Sequence, residues 1–493
     1  MTRHKKYSLI TATICCVLSA SCKKALDINT DPNKLSPEQA TINNLLPSGE
    51  QYLASAFYGA SRYGIFYTQQ LAGNASYAAN IDSYNPYGFD ELWSSAYLSA
   101  MPNYKDIFTR ADAAGAPQYA GIARLMMALT LMQSTDVWGD VPYKEAFQGT
   151  ANITPHYDTM QDIYNTSLLD LLNKAIDNLN QPIPALASLK VGTTDLIYAG
   201  DITKWKKAAY AARARYYLHL AKKTAADYQL AINDVNNSFT DAADLNGAND
   251  LQLKYNTTQQ NPWFTNVSNV AATSRYVRPS NYLVNLMNGD ATAGLYPGLL
   301  DPRLPKLVDN GGKPTYIGRP VGTQDNEQGA NLANVDITSN TYYGQNVSPL
   351  PIITYAEIQF IKAEAYFNLN DKPNAYTAYL NGIKGNMTKL GVTTTDMNTY
   401  VNSPLISKGA ANLTLSDIML QKYIALFLQM ETWTDMRRYQ YDTSIYKNLT
   451  KPFRNLLPGG PWVQRGNYSN SEFGVNPNVP KNLDQTTKLW LFQ

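Results

Sequence analysis

Apolar residues recur along this chain mostly at helical spacing. Ile353, Ala356, Phe360, Ala363 and Phe367 follow one another at intervals of three or four, which places them on one face of a helix. Trp205, Ala208, Ala209, Ala212, Tyr216 and Leu220 form a second such stripe. Similar patterns occur near 89–110, 119–134, 159–179 and 414–440. Between them lie segments rich in Asn, Gly, Pro and Tyr, notably 60–88, 181–200, 237–275 and 288–350, which read as long loops. Alternating strand patterns are rare. The pattern predicts a mostly α chain with long excursions from a helical frame.

One pair of helices is repeat-like. The stripe from Tyr355 ends at Asn368-Leu-Asn-Asp371, and a second helix begins by Pro373 with Ala375, Tyr376 and Tyr379 on one side. Small Ala set against large Tyr at these spacings is how a tetratricopeptide hairpin interlocks. The helices at 119–134, 159–179 and 203–222 read as similar pairs at irregular spacing, so an irregular α-domain is the alternative on this ground.

The start of the chain has a different pattern. Arg3, Lys5 and Lys6 precede an apolar run from Tyr7 to Ala20, and small residues Ser19-Ala20-Ser21 then precede Cys22. This is the order of a secretory signal, and the run is shorter than the ~20 residues that span a bilayer. Residues 1–21 are therefore read as a signal peptide and 22–493 as the mature chain, a single domain. Cys15 and Cys16 would leave with the signal, so Cys22 would be the sole cysteine of a secreted chain. Acylation of its thiol, which would anchor the protein to a membrane, accounts for it; a free thiol on a soluble protein is the alternative. Further on, Asp27, Asn29, Asp31 and Glu38 mimic a calcium loop. Pro32 stands where that loop needs a positive φ, so Ser36-Pro37-Glu38 reads as an ordinary helix start.

Composition narrows the function classes. Without residues 1–21 the Lys and Arg total falls from 41 to 38, against 39 Asp and Glu, and no basic field remains for nucleic acid. Charged residues make up 16% of the chain while Tyr reaches 36, so the surface is polar through phenols and amides, which suits neutral polar ligands. The three histidines are isolated, and no His-x-x-x-His, Cys-x-x-Cys, Gly-x-Ser-x-Gly or Gly-rich phosphate loop occurs. A zinc site is therefore not expected, and none of these motifs marks a catalytic residue or a cofactor.

Several segments, in order, resemble the SusD family (SusD/RagB-like). They are Cys22-Lys-Lys-Ala-Leu-Asp-Ile-Asn-Thr-Asp-Pro-Asn33, Ser134-Thr-Asp-Val-Trp-Gly-Asp-Val-Pro-Tyr143 and Tyr157-Asp-Thr-Met-Gln-Asp-Ile-Tyr164. Tyr355-Ala-Glu-Ile-Gln-Phe-Ile-Lys-Ala-Glu-Ala-Tyr366 and Glu431-Thr-Trp-Thr-Asp-Met-Arg-Arg-Tyr439 complete the set. The resemblance implies a tetratricopeptide-like scaffold of helix pairs with long irregular ligand-binding loops. It implies an outer-membrane lipoprotein, lipid-anchored at Cys22 and facing the cell exterior. Such a protein captures oligosaccharide or polysaccharide and closes as a lid over a SusC-like TonB-dependent outer-membrane transporter. Some members take peptides instead. The chain departs from the family in the loosely arranged small residues before Cys22. It also departs in Lys23 and Lys24, where acids commonly favour outer-face display.

A sugar presents hydroxyls at its edge and C–H patches on its faces, so a site for it wants aromatic platforms with polar groups at the rim. Two loops fit. The first carries Tyr77, Tyr84 and Tyr87 among Asn74, Asn80 and Asn85; the second carries Trp263 and Phe264, followed by Arg275 and Tyr276. In extended backbone Trp263 and Phe264 point apart, so one of them can serve as a platform, and Trp263 is the choice. The candidate ligand residues are thus Tyr77, Asn80, Tyr84, Tyr87, Trp263, Arg275 and Tyr276; packing of each ring within its own loop is the alternative. Trp93 and Trp138 read as core, and Glu431, Asp435, Arg437 and Arg438 as a charge network. A glycoside hydrolase would need two carboxylates ~5–10 Å apart, and no sequence feature marks such a pair. A protein-only tetratricopeptide adaptor would not need loops this long.

Overall fold

The computed structural model describes residues 40–493, except 241, 272–274 and 482. The signal segment, Cys22, the calcium-like stretch and the helix start at Ser36 lie outside the described residues. The first described helix, α1 (Ile42–Tyr67), is capped by the Thr41 hydroxyl, which accepts from the Asn44 N–H.

Seven helices then form a continuous scaffold. They are α2 (Met101–Ala114), α3 (Pro117–Trp138), α4 (Leu169–Asn180), α5 (Ile202–Leu220), α6 (Ala226–Val235), α7 (Tyr355–Asn368) and α8 (Lys372–Lys389). Each packs on the next in that order. The hairpin α7–α8 falls where the periodicity predicts it. Thr354 caps α7 and Asp371 caps α8, and Ala375 and Tyr379 are buried at their interface, with Tyr376 half-buried. Two more helices, α9 (Leu415–Ala425) and α10 (Glu431–Arg438), close the frame. The 414–440 stretch is thus two helices, broken where Leu428 takes φ 63°.

The expected loop 60–88 is partly helical, because α1 runs on to Tyr67 and a short helix spans Ser76–Asp82. Glycines at the end of α1 serve close packing and are not turn residues. A Cβ on Gly59 would lie 3.1 Å from the Leu92 backbone nitrogen, so α1 needs a glycine there to approach the helix at Asp90–Trp93. Trp138 is fully buried and Trp93 is 5% exposed, as expected of core residues.

Charge ties the scaffold together. Arg215 of α5 grips Glu357 of α7 through two hydrogen bonds of 2.7 and 2.8 Å. Arg438 joins Glu364 at 2.9 Å and Asp435 at 2.5 Å, and Lys422 reaches Asp435 at 2.8 Å. His219 is held between Tyr164, whose hydroxyl lies 2.9 Å from Nδ1, and Glu431, whose Oε1 lies 2.8 Å from Nε2. All these groups are buried, so the charged residues of 431–438 form an internal network, and the pocket that Glu431 lines, with Arg215 and Asp136, is a small one of about 30 Å³.

Two short antiparallel ribbons attach the long excursions to this frame. β1 (Leu71–Gly73) pairs with β3 (Val277–Pro279), and β2 (Leu251–Leu253) pairs with β4 (Leu350–Ile353), directly before α7.

Candidate functional site

The β1–β3 ribbon brings the two candidate loops together. Gly73 pairs with Val277, and the Asn74 N–H donates to the Tyr276 carbonyl at 3.0 Å. A third excursion locks onto the ribbon. Arg319 donates to the Gly73 carbonyl at 3.2 Å, to the Thr323 carbonyl at 2.9 Å and to Asp325 at 2.9 Å. The Asp82 carboxylate accepts the Gly322 N–H at 2.6 Å.

Several of the candidate side chains face outward on this surface. Tyr77 is half-buried, with the Arg62 guanidinium 4.9 Å from its ring centroid. Arg62 in turn pairs with Glu91 at 2.8 Å, both side chains being partly exposed. Tyr87 is half-buried with its ring 4.8 Å from that of Tyr63, whose hydroxyl reaches toward Glu91. Tyr276 is 37% exposed and Asn80 is exposed. Arg62 Nε and the Asn74 side-chain oxygen are buried without a hydrogen-bond partner, so polar capacity remains here that internal contacts do not use. Burial pushes the Tyr58 hydroxyl well above its ordinary range, next to Arg62 and Glu91. The arrangement offers phenol rings flanked by a cation, a carboxylate and amides, which can hold a neutral polar ligand by stacking and hydrogen bonds.

Three of the candidates are turned inward. Trp263 is 3% exposed and meets Tyr58 edge-on at 5.0 Å. The segment is a helical turn rather than extended backbone, so Phe264 is the more exposed neighbour and Trp263 belongs to the core. Tyr84 is fully buried, because its left-handed φ of 58° turns the ring in against Tyr67 and Trp462. Arg275 spends its guanidinium internally, on Asp336 at 2.6 Å and on the carbonyls of Val270 and Ser268. Sequence reasoning missed Arg62, Tyr58 and Glu91, which sit beside the loops but on helices. The i, i+4 spacing of Tyr58 and Arg62 was the available signal.

Among the described residues no group of three or more His, Cys, Asp or Glu could hold a metal ion, and no helix is long and apolar enough to cross a membrane. Comparison with curated proteins returns no match. Solved structures share the fold over almost the whole chain. A SusD/RagB family protein from Bacteroides thetaiotaomicron superposes with a TM-score of 0.73 at 23% identity, covering 92% of this chain and 99% of its own. A SusD homolog from Bacteroides uniformis gives 0.71 at 21%, covering 91% and 99%. A chitin-binding SusD homolog from Flavobacterium johnsoniae gives 0.71 at 18%, covering 92% and 97%. The family model described as starch-binding, associating with outer membrane, matches residues 32–465. With that match spanning most of its length, and with a helical scaffold shared with SusD/RagB proteins, the chain belongs to the SusD-like family.

Proposed function

We propose that this protein is a non-catalytic outer-membrane lipoprotein that captures oligosaccharide or polysaccharide and passes it to a SusC-like TonB-dependent transporter. In this reading the mature chain begins at Cys22, whose acylated thiol anchors a single domain at the cell exterior. The family's starch-binding description and the chitin-binding relative support a glycan as ligand. The observation that carries the reading is the ribbon-joined surface with Tyr77, Tyr87 and Tyr276 outward and the Arg62–Glu91 pair beside Tyr77. Phenol faces match sugar C–H patches, and the charged pair and Asn80 match ring-edge hydroxyls.

The test is migration of the soluble chain lacking residues 1–22 in native gels cast with a panel of polysaccharides. Retardation by at least one glycan, relieved by Tyr77→Ala or Tyr276→Ala and without new reducing ends, is the expected result. Release of reducing ends would replace the binder with a hydrolase. Retardation by none of the glycans would turn the reading toward peptides or a protein-only adaptor.

A further inference from the structure

A roomy cavity lies elsewhere. A cleft of about 650 Å³ opens between the helical face from Trp93 to Thr109 and the loop 142–155, and none of the candidate residues above lines it. That volume suits a small molecule. Its wall is a row of near-parallel rings. Trp93 and Tyr97 stack at 4.3 Å and 24°, and Tyr97 and Phe147 follow at 6.0 Å and 22°. Trp93 is anchored edge-on against Trp138 at 5.1 Å. Phe147 holds a φ of 63°, a left-handed conformation that a bulky L-residue rarely adopts and that structures tend to retain at ligand sites.

Two further features point to an occupant. Leu98 and Ile153, at 75% and 76% exposure, are the most solvent-exposed large hydrophobic side chains among the described residues, and both line this one cleft. Exposed aliphatic groups gathered at a concavity mark apolar recognition. The second feature is charge. Lys105 is the one Lys or Arg among the lining residues, and among the described residues no carboxylate pairs with it. Its ammonium makes only long contacts, 3.5 and 3.4 Å, to the carbonyls of Ala146 and Phe147. The acids of the cleft are already engaged, Asp106 by Arg110 at 2.7 Å and Glu472 by the Tyr157 hydroxyl at 2.9 Å. The Tyr97 hydroxyl is buried without a hydrogen-bond partner.

We propose that this cleft is a second binding site, for a small amphiphilic carboxylate whose apolar body lies against Tyr97, Phe147, Leu98 and Ile153 while its anionic head meets Lys105. The head gains a charge-assisted bond from an ammonium that has only two long carbonyl contacts, and the body removes two aliphatic side chains from water.

The experiment is calorimetric titration of the soluble chain lacking residues 1–22 with 2-naphthoate and with its neutral analogue 2-naphthamide. Saturable one-to-one binding of naphthoate is expected, tighter than that of naphthamide. Lys105→Gln should weaken naphthoate about tenfold, the worth of one charge-assisted hydrogen bond, and leave naphthamide unchanged. Ile153→Asn should weaken both, with an unchanged melting temperature because the side chain is exposed. Tyr77→Ala, at the glycan surface, should weaken neither. Absence of saturable binding, or equal naphthoate affinity in the wild type and Lys105→Gln, would overturn the proposal, whatever the outcome with polysaccharides.

Discussion

Asp82 and Gly322 lie 240 positions apart and are joined by a 2.6 Å hydrogen bond from the glycine N–H to the carboxylate. The bond fastens the loop before β4 to the short helix that follows β1. Burial pushes the Asp82 carboxyl up to about 8, against the opposing pull of the Gly322 N–H and the Arg319 charge. An unfolded Asp titrates near ~3.9, so the folded protein holds a proton that the unfolded chain has lost. Stability is therefore greatest below about pH 4, declines as pH rises through about 8 and is level above that. Asp82→Asn keeps an acceptor for Gly322 but cannot ionise. Its melting temperature should match the wild type near pH 4 and exceed it at pH 9, measured by calorimetry. A variant that melts lower than the wild type at pH 9 would show that the ionised carboxylate is itself stabilising.

Glu431 titrates in the opposite sense. Burial opposes its charge, but His219 and Arg215 outweigh that and lower its carboxyl to about 2. A depressed carboxylate contributes stability above the unfolded value of ~4.3, lost as pH falls through the folded one. Glu431→Gln should therefore flatten the fall in stability between about pH 4.5 and 2. At pH 7 it should cost about 3–5 kcal/mol, because Arg215 loses a buried counter-charge. Urea unfolding at pH 7 and at pH 3 measures both effects.

The hairpin α7–α8 interlocks at two glycines. A Cβ on Gly385 would lie 2.4 Å from the Tyr355 ring, and one on Gly382 would lie 2.8 Å from the Phe360 ring. Both partner rings are buried, so they have little room to retreat. Gly385→Ala should lose about 1–3 kcal/mol by overpacking, even though alanine favours a helix. A stabilised variant in urea unfolding would mean that α8 shifts along α7 without cost.

These contacts explain what was legible in the sequence. The α7–α8 pair could be read because Ala and Tyr recur at helical spacing and because Pro373 marks the second helix start. The end of α1 could not. Its Gly59, Ala60, Ser61 and Gly64 look like turn residues unless the neighbouring backbone at Leu92 is known. The aromatic content of both candidate loops was visible, but not which rings point outward. That depends on the left-handed φ of Tyr84 and the helical turn at Phe264, set by contacts with distant residues. The cleft beside Lys105 was hidden for the same reason: Trp93 and Tyr97 read as one helical stripe, and nothing in the spacing shows that Phe147 and Ile153 fold over it.

Trp263 provides the sharpest separation between packing and recognition. Its ring is 3% exposed and sits edge-on to Tyr58, whereas Tyr77, on the same ribbon-joined surface, is half-buried beneath Arg62. Truncating a buried Trp removes its transfer energy and leaves a cavity, so Trp263→Ala should lower stability by about 3–5 kcal/mol. Tyr77→Ala gives up a partly exposed ring and one cation–π contact, and should cost about 1 kcal/mol. Unfolding in urea should rank the two in that order. Gel retardation by a binding glycan, run well below either unfolding midpoint, should rank them in reverse, with Tyr77→Ala weakening retention more. If Trp263→Ala abolishes retention while its unfolding midpoint stays at the wild-type value, the indole itself touches ligand, and the surface must open around Tyr58 to admit it.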